Sequence, residues 1–206
     1  MVIKMKTTIE QQVVPLSSDI PIWDQVFTVA PLVIIGSREA DGSYNLAPKH
    51  LATPLSWTNH FGFVCTPNHS TYQNIKREGQ FTVSYPRPTQ MIQTSLTATL
   101  REDDDSKPAL ALLSTFPAKK IDGQFIEDGY LYFECELDRI IDDFDTNSLI
   151  AGTIISAYAA QDSLRAHDID DAQLLADAPL LAYLNWGRFA RIQKSFTFPF
   201  MRGFKR

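Results

Sequence analysis

A short polar stretch interrupts an apolar run in the first third of the chain. Residues 44–57 read YNLAPKHLATPLSW, in which Pro48, Lys49 and His50 stand directly before residues that are expected to be buried. Proline fixes the backbone dihedral angle φ, and a lysine ammonium is a point charge suited to phosphate. The stretch therefore predicts a rigid segment that binds an anion. The alternative is an irregular edge strand that carries two solvated basic residues.

A second polar stretch follows at the predicted junction between a strand and a helix. Residues 66–75 read TPNHSTYQNI, with Asn68, His69, Ser70 and Thr71 at the start of the helix. Free backbone N–H groups and the positive end of the helix dipole make such a position favourable for an anion. Hydroxyl groups at this position can instead simply cap the helix.

Other kinds of chemistry lack a signal in this sequence. It contains no G-x-G-x-x-G, no P-loop and no G-x-S-x-G motif, which disfavours a dinucleotide fold, an ATPase and a standard α/β-hydrolase. The four histidines, His50, His60, His69 and His167, lack the spacing of metal ligands. We therefore expect no metal site, and these motifs identify no catalytic side chain.

Composition and charge limit the class of protein. The chain of 206 residues is 44% hydrophobic and predicts one domain over 1–206. Its net charge of −5 argues against general binding of nucleic acid. Cys65 and Cys135 lie far apart in apolar runs, which indicates buried free thiols in a reducing compartment. The first twelve residues lack an apolar signal core and the apolar runs are too short for a membrane span, so we predict a cytoplasmic protein with no membrane partner.

The C-terminal end differs from the acidic body of the protein. No Asp or Glu occurs between Pro179 and Arg206, and the tail over 194–206 is basic and aromatic. Phe196, Phe198 and Phe200 alternate, so they would share one face of an extended chain. The tail could close over a ligand, pack on a partner subunit or pack against its own domain.

The elements that must position the two polar stretches read mainly as strands. Strands are predicted over 25–39, 44–57, 60–67 and 80–86, with a hairpin turn at Asp41-Gly42 and a helix over 70–79 that ends at Gly79. A helical insertion is predicted around 87–117, in which residues 101–107 (REDDDSK) form a solvent-exposed loop. A long antiparallel pair over 129–145 and 148–161, a helical piece over 170–184 and a last strand over 187–193 complete the chain. This order favours an antiparallel barrel with peripheral helices.

Residues 31–86, taken in order, resemble the flavin reductase-like, FMN-binding split-barrel family. The resemblance is carried by an apolar strand, the D-G turn, the N-x-A-P segment at Asn45–Pro48, the Ser/Thr-containing turn before the N-I pair, and the FTVSY strand. It implies a six-stranded antiparallel split β-barrel, commonly a homodimer, with FMN near the subunit interface. The long strands and GRFARI fit the same fold more loosely.

The resemblance also implies a set of cofactor-binding residues. The flavin ring and the chain to its phosphate would lie along Asn45, Leu46, Ala47, Pro48, Lys49 and His50. The phosphate would lie at Ser70 and Thr71, with Asn68 and His69 nearby and Ser84 as a further candidate. This chain has Lys49-His50 where the family usually has a small hydroxyl residue, and His69-Ser70 where a basic-acidic pair is frequent. Lys49 and His50 could therefore supply the charge that holds the phosphate.

The function implied by the resemblance is that of an FMN-dependent oxidoreductase. Hydride would pass from NADH or NADPH through FMN to an acceptor that the sequence does not identify. One alternative is an FMN electron-transfer protein without its own NAD(P)H site, and another is a split-barrel binding module that has lost flavin.

Overall fold

The structure, a computed structural model, describes residues 13–165, 170–185, 187–200 and 203. The strands are β1 (Val29–Pro31), β2 (Val33–Arg38), β3 (Tyr44–Lys49), β4 (Ala52–Pro54), β5 (His60–Cys65), β6 (Gln80–Tyr85), β7 (Thr115–Pro117), β8 (Gln124–Ile126), β9 (Leu131–Phe144), β10 (Asn147–Ala159), β11 (Leu180–Leu184) and β12 (Arg188–Ile192). The helices are α1 (Ser70–Glu78), α2 (Met91–Leu96) and α3 (Asp171–Asp177), and 3-10 turns occur at Ile22–Asp24, Pro88–Gln90, Pro108–Leu112 and Gln161–Ser163.

A curled antiparallel sheet of seven strands forms the body of the molecule. Its strand order is β3-β2-β6-β9-β10-β5-β4, so β3 and β4 lie at opposite edges although they are consecutive in the chain. The Val64 amide donates to the Leu51 carbonyl at 2.8 Å, where the chain passes from one edge to the other. The predicted antiparallel split barrel with peripheral helices is confirmed. The sheet contains seven strands and not six, because the chain bends at His50 and Leu51 and divides the predicted second strand into β3 and β4.

Two further segments differ from the expected elements. The run over 25–39 divides into β1 and β2, and β1 pairs with β11 in a separate sheet of order β1-β11-β12. The predicted helical piece over 170–184 is helical only in α3. Its apolar end is β11, because a strand on each side supplies the backbone hydrogen bonds that a short isolated helix would lack. In the predicted helical insertion, residues 115–117 are β7, paired with β8.

Both faces of β2 are buried. Val33 and Ile35 face an inner cluster with Phe61, Phe81 and Ile75 of α1, whereas Ile34 faces an outer cluster with Leu46, Leu113 and Ile126. A Cβ on Gly36 would lie 2.6 Å from the Gln124 carbonyl oxygen, so only glycine permits β8 to pack this closely. The sheet therefore has two differently lined faces, and each candidate side chain on β3 belongs to one of them.

One carboxylate is fully buried beneath the β7–β8 hairpin. Glu134 of β9 is 0% exposed, and it accepts hydrogen bonds from the backbone N–H groups of Lys119 (3.1 Å), Lys120 (2.6 Å) and Ile121 (3.0 Å). The Tyr158 hydroxyl donates a fourth at 2.6 Å. Burial alone raises the pKa of Glu134, but these hydrogen bonds outweigh it and hold the pKa below the usual value.

The described ranges lack two features that are typical of other classes of protein. No helix in those ranges has the length and apolar character needed to cross a membrane. The same ranges hold no cluster of three His, Cys, Asp or Glu side chains that could bind a metal ion.

Candidate functional site

The first predicted segment is an edge strand whose start is set by a tight hairpin. Gly42 has a φ of 89°, and the Asp41 carboxylate accepts the Ser43 amide at 2.9 Å, so the Asp41-Gly42 turn occurs as predicted. The antiparallel register places Ser37 opposite Asn45, Ile35 opposite Ala47 and Val33 opposite Lys49. With β2 on one side only, β3 leaves its other backbone edge open to contacts from outside the sheet.

Side chains of the first segment alternate between the two faces of the sheet. Asn45, Ala47 and Lys49 lie on the face that α1 covers, since their partners in β2 face the inner cluster. Leu46 packs in the outer cluster, and Pro48 lies opposite Ile34 on the same outer face. Because proline has no N–H to donate, Pro48 is tolerated at this sheet edge.

The two predicted segments meet through one buried hydrogen bond. Asn45 Nδ2 donates to Thr71 Oγ1 at 3.3 Å, and the two residues are 4% and 2% exposed. Among the described residues, no group donates to the buried Asn45 Oδ1. A buried acceptor without a donor is costly, so this atom marks a position where a ligand N–H would be stabilising. We call the region between β3 and the N-terminus of α1 the cradle.

The N-terminus of α1 lacks a side-chain cap among the described residues. His69 occupies the N-cap position with extended backbone angles, and neither its ring nor a neighbouring hydroxyl caps the first turn. The alternative prediction, that the hydroxyl groups of Ser70 and Thr71 cap the helix, is therefore wrong. Gly79 ends the helix in the left-handed conformation with a φ of 69°, as predicted.

Lys49 is the electrostatic centre of the cradle. The pKa values of His50 and His69 are both lowered. Burial is the larger cause, and the charge of Lys49 is the smaller one. Burial raises the pKa of the Cys65 thiol, and Lys49 opposes that shift. Lys49 forms no ion pair with any carboxylate in the described part of the chain. A cation that influences two imidazoles without a carboxylate partner makes this region favourable for an anion.

Two of the predicted residues lie elsewhere. Ser84 is on the outer face of β6, opposite Ile34, and its Oγ accepts the Ile126 amide at 3.3 Å, so the structure does not bring it to the cradle. Asn68 is exposed and lines a cavity of about 420 Å³ together with Asp142 and Asp143 at the end of β9 and Asp145 of the β9–β10 turn. That acidic surrounding disfavours a phosphate at Asn68.

Comparison with known proteins assigns the family. Residues 27–191 match the flavin reductase like domain family. The chain belongs to this family. The match covers the seven-stranded sheet, β1, β11 and all of β12 except its last residue, and it confirms the resemblance seen in residues 31–86.

Solved structures share the fold of this flavin reductase-like chain at low sequence identity. The 2-nitrobenzoate 2-nitroreductase of Pseudomonas fluorescens is 18% identical with a TM-score of 0.75, covering 94% of this chain and 99% of its own. Nitrilotriacetate monooxygenase component B of Bacillus cereus is 17% identical with a TM-score of 0.76, covering 90% and 98%. An FMN-binding protein of Thermus thermophilus is 18% identical with a TM-score of 0.68, covering 84% and 91%.

The flavin reductase-like domain also brings residues to the site that sequence reasoning missed. The Tyr183 ring of β11 packs on the His50 ring with centroids 4.7 Å apart, so the smaller sheet reaches the end of β3. Lys107 Nζ donates to the Leu46 carbonyl at 3.0 Å and to the Thr97 carbonyl at 2.6 Å. The prediction of a solvent-exposed loop over 101–107 is therefore wrong at Lys107, because the open edge of β3 supplies a carbonyl that attracts its ammonium.

A cavity of about 550 Å³ adjoins the cradle at Asn45 and Lys107. Its volume falls within the roughly 300–1,000 Å³ typical of small-molecule pockets. Arg101 forms an ion pair with Glu39 across this cavity, which fixes the 101–107 segment to the β2–β3 hairpin. The remaining lining residues are Ala40, Asp41, Ser43, Tyr44, Asp104, Asp105, Ser106, Pro108 and Leu110.

The predicted tail lies only partly within the described residues. Phe196, Phe198 and Phe200 are 82%, 68% and 55% exposed, and the Phe198 and Phe200 rings lie 4.7 Å apart. Residues 201, 202 and 204–206, which carry three of the predicted basic residues of the tail, lie outside the described residues, as do His167 and residues 1–12.

Proposed function

We propose that this flavin reductase-like protein binds FMN in the cradle and acts as an NAD(P)H-dependent oxidoreductase. The observation that carries the proposal is the meeting of Asn45 with Thr71, which joins the edge strand to the uncapped helix N-terminus beside Lys49. Membership of the flavin reductase family supports a flavoprotein. The similar fold of an FMN-binding protein supports FMN as the flavin.

The groups present in the cradle fit the chemical groups of FMN. The flavin ring system carries one N–H donor and two carbonyls, and the Asn45 Oδ1 atom is a buried acceptor that lacks a donor among the described residues. The ribityl phosphate is an anion, for which Lys49 and the N-terminus of α1 provide positive charge. Ala47 and Thr71 add small buried surfaces that would not obstruct a planar ring.

FMN in this site would supply the transfer of hydride and electrons between NADH or NADPH and an acceptor. The protein would supply placement and electrostatics. Lys49 would hold the phosphate, Asn45 would orient the ring edge, and the hydrophobic inner cluster beneath β2 and α1 would keep both segments in position. We assign no catalytic acid or nucleophile to the protein itself.

We further propose a cytoplasmic homodimer with the cradle near its interface. The exposed aromatic side chains of Phe196 and Phe198, together with Trp57 at 95% exposure, offer apolar surface for a second copy. Sedimentation velocity of the purified protein checks this proposal, and a monomer at micromolar concentration would refute it.

An absorption spectrum before and after addition of NADH or NADPH under anaerobic conditions tests the main proposal. We expect flavin absorption near that of free FMN in the purified or FMN-loaded protein, and bleaching on addition of the nicotinamide. Absorption without bleaching would favour the electron-transfer protein that lacks its own NAD(P)H site. Failure to retain or bind FMN at all would favour the binding module that has lost flavin.

A further inference from the structure

The segment between Thr97 and Leu110 contacts β3 through a half-buried cation. Lys107 lies in the chain 61 residues after Leu46, yet its ammonium donates to the Leu46 carbonyl at 3.0 Å. The same ammonium donates a second hydrogen bond, to the Thr97 carbonyl at 2.6 Å. The ammonium therefore joins the open edge of β3 to the end of α2.

The contact at Leu46 bears on the cradle because Leu46 lies between two residues of the cradle. Leu46 lies between Asn45 and Ala47, whose side chains face the cradle, while its own side chain is anchored in the outer cluster. Its carbonyl points away from β2, since β3 is an edge strand and the acceptor is taken by a group outside the sheet. A rotation of this peptide would move the backbone on both sides of it.

Packing alone does not account for a lysine at this position. Among the described residues, Lys107 forms no ion pair, and its two partners are neutral carbonyls. Burial, together with the positive charges of Arg101 and Lys49, lowers the pKa of Lys107 to about 8, although the nearby Glu39 opposes the shift. The protein thus keeps a charged donor where its charge is disfavoured, next to the strand that forms the cradle.

We propose that Lys107 is a positioning residue for FMN: its ammonium fixes the Leu46 carbonyl and so holds the edge of β3 in the conformation that receives the flavin. This inference rests on the proposed binding of FMN in the cradle. Lys107 acts through the strand backbone. Arg101 assists by fixing Glu39 at the start of the same hairpin.

Titration of Lys107 makes the affinity for FMN depend on pH. Above a pH of about 8 the amine loses its charge, and its hydrogen bond to Leu46 weakens because charge-assisted bonds are the stronger ones. The charged groups that face it are Arg101, Lys49 and Glu39. His50 and His69 have lowered pKa values, and a phosphate monoester has its second pKa near 6, so these groups complete their titration below this window.

The experiment measures the dissociation constant for FMN at pH 7 and pH 9.5 in wild type, Lys107→Met and Lys120→Met. Lys120 is an exposed lysine of the β7–β8 hairpin, so it controls for loss of a surface charge. We expect Lys107→Met to bind FMN about tenfold more weakly than wild type at pH 7, the loss typical of one charge-assisted hydrogen bond. Binding by wild type and by Lys120→Met should weaken more between pH 7 and pH 9.5 than binding by Lys107→Met.

Several results would overturn the role of Lys107. These are equal affinity of Lys107→Met and wild type at pH 7, or a pH dependence in Lys107→Met equal to that of wild type. If Lys107→Met does not fold, Lys107→Arg, which keeps a charged donor at both pH values, decides the matter: its affinity should fall less than that of wild type between pH 7 and pH 9.5, and an equal fall would overturn the proposal.

Hydrogen exchange of the FMN-free protein separates this inference from the proposed function. The backbone amides of Asn45, Ala47 and Lys49 should exchange faster in Lys107→Met than in wild type, because the edge of β3 loses its tie to the 97–110 segment. If wild type binds no FMN, the proposed function fails, while the exchange result still reports whether Lys107 holds the strand. Unchanged exchange would show that it does not.

Discussion

Two polar regions of this molecule differ in whether the protein itself supplies partners for the charged group. Glu134, beneath the β7–β8 hairpin, is 0% exposed and receives four hydrogen bonds from the protein itself. The cradle holds Lys49 without a carboxylate partner among the described residues, and an Asn45 Oδ1 atom that receives no hydrogen bond there. The first region is complete without a ligand. We propose that the second is completed by FMN, which brings a negative charge and an N–H donor.

The difference separates a structural polar group from a binding group. A buried charge whose partners all come from the chain contributes to stability, because removing it leaves several donors unpaired. A charge that lacks a partner contributes little to the free protein and much to the complex. Substitutions in the two regions should therefore affect different measurements.

The largest change in free energy should come from substitution of Glu134, and it should appear in unfolding. Replacing Glu134 by Ala removes the acceptor of three backbone N–H groups and of the Tyr158 hydroxyl. We expect the free energy of unfolding to fall by about 3 kcal/mol, since each unpaired buried donor costs about 1–3 kcal/mol and the hairpin can rehydrate in part. Denaturation by urea measures the change.

The matched control for this prediction is Glu136→Ala, an exposed glutamate on the same strand, which should change the free energy of unfolding by less than about 0.5 kcal/mol. The affinity of folded Glu134→Ala for FMN should equal that of wild type. A loss of affinity with unchanged stability would reverse the roles that we assign to the two regions.

The next effect should come from Lys49 and should appear only in binding. A charge-assisted hydrogen bond to a phosphate is worth about 1.5–3 kcal/mol, so Lys49→Ala should weaken binding of FMN roughly ten- to a hundredfold. Quenching of FMN fluorescence on binding provides the measurement. The free energy of unfolding should change by less than about 1 kcal/mol, because Lys49 forms no ion pair within the described residues and only a neutral thiol, Cys65, is its hydrogen-bond partner there. Lys120→Ala serves as the control, and an unchanged dissociation constant in Lys49→Ala would remove Lys49 from the site.

A smaller effect is the dependence of stability on pH that arises from His50 and His69. Burial and the charge of Lys49 lower the pKa of His50 and of His69, so the unfolded chain binds more protons than the fold just below pH 6.5. Stability should therefore rise with pH through this window, and it should be lost as pH falls. Titration by ¹⁵N NMR should give pKa values below 6.5 in the free protein, rising when FMN brings its phosphate.

The variant Lys49→Ala sharpens this prediction. Removing the lysine charge should raise the pKa of both histidines towards 6.5 but not restore it fully, because burial is the larger cause. If neither pKa moves in the variant, Lys49 does not influence the imidazoles and is not the electrostatic centre of the cradle.

Local signals in the sequence were sufficient for much of the fold. Asp41-Gly42 predicts its hairpin and Gly79 predicts the end of α1, because a positive φ requires glycine at these points. The sequence pattern predicts a helical piece where β11 lies, since a short apolar run such as LLAYL fits either type of element. Its pairing with β1, which is distant in the sequence, decides the outcome.

Contacts between distant segments could not be read in the same way. Lys107 lies in a run of charges that resembles any solvated loop, and only the tertiary fold brings it to the Leu46 carbonyl. Tyr183 reaches His50 through the smaller sheet, whose position no local pattern indicates. The sequence did predict the two segments of the cradle, because both lie close to turns whose residue types carry the signal.

The smallest effect should come from Thr71, where the two segments of the cradle meet. Thr71→Ala removes the hydroxyl that accepts Asn45 Nδ2, and a neutral hydrogen bond is worth about 1 kcal/mol, so binding of FMN should weaken roughly fivefold. Thr71→Ser keeps the hydroxyl and should bind nearly as wild type. Because no side chain in the described part of the protein caps α1, the loss cannot be assigned to a missing cap. Equal affinities of the Ala and Ser variants would mean that the hydrogen bond between the segments orders the free protein alone and does not orient Asn45 for the flavin.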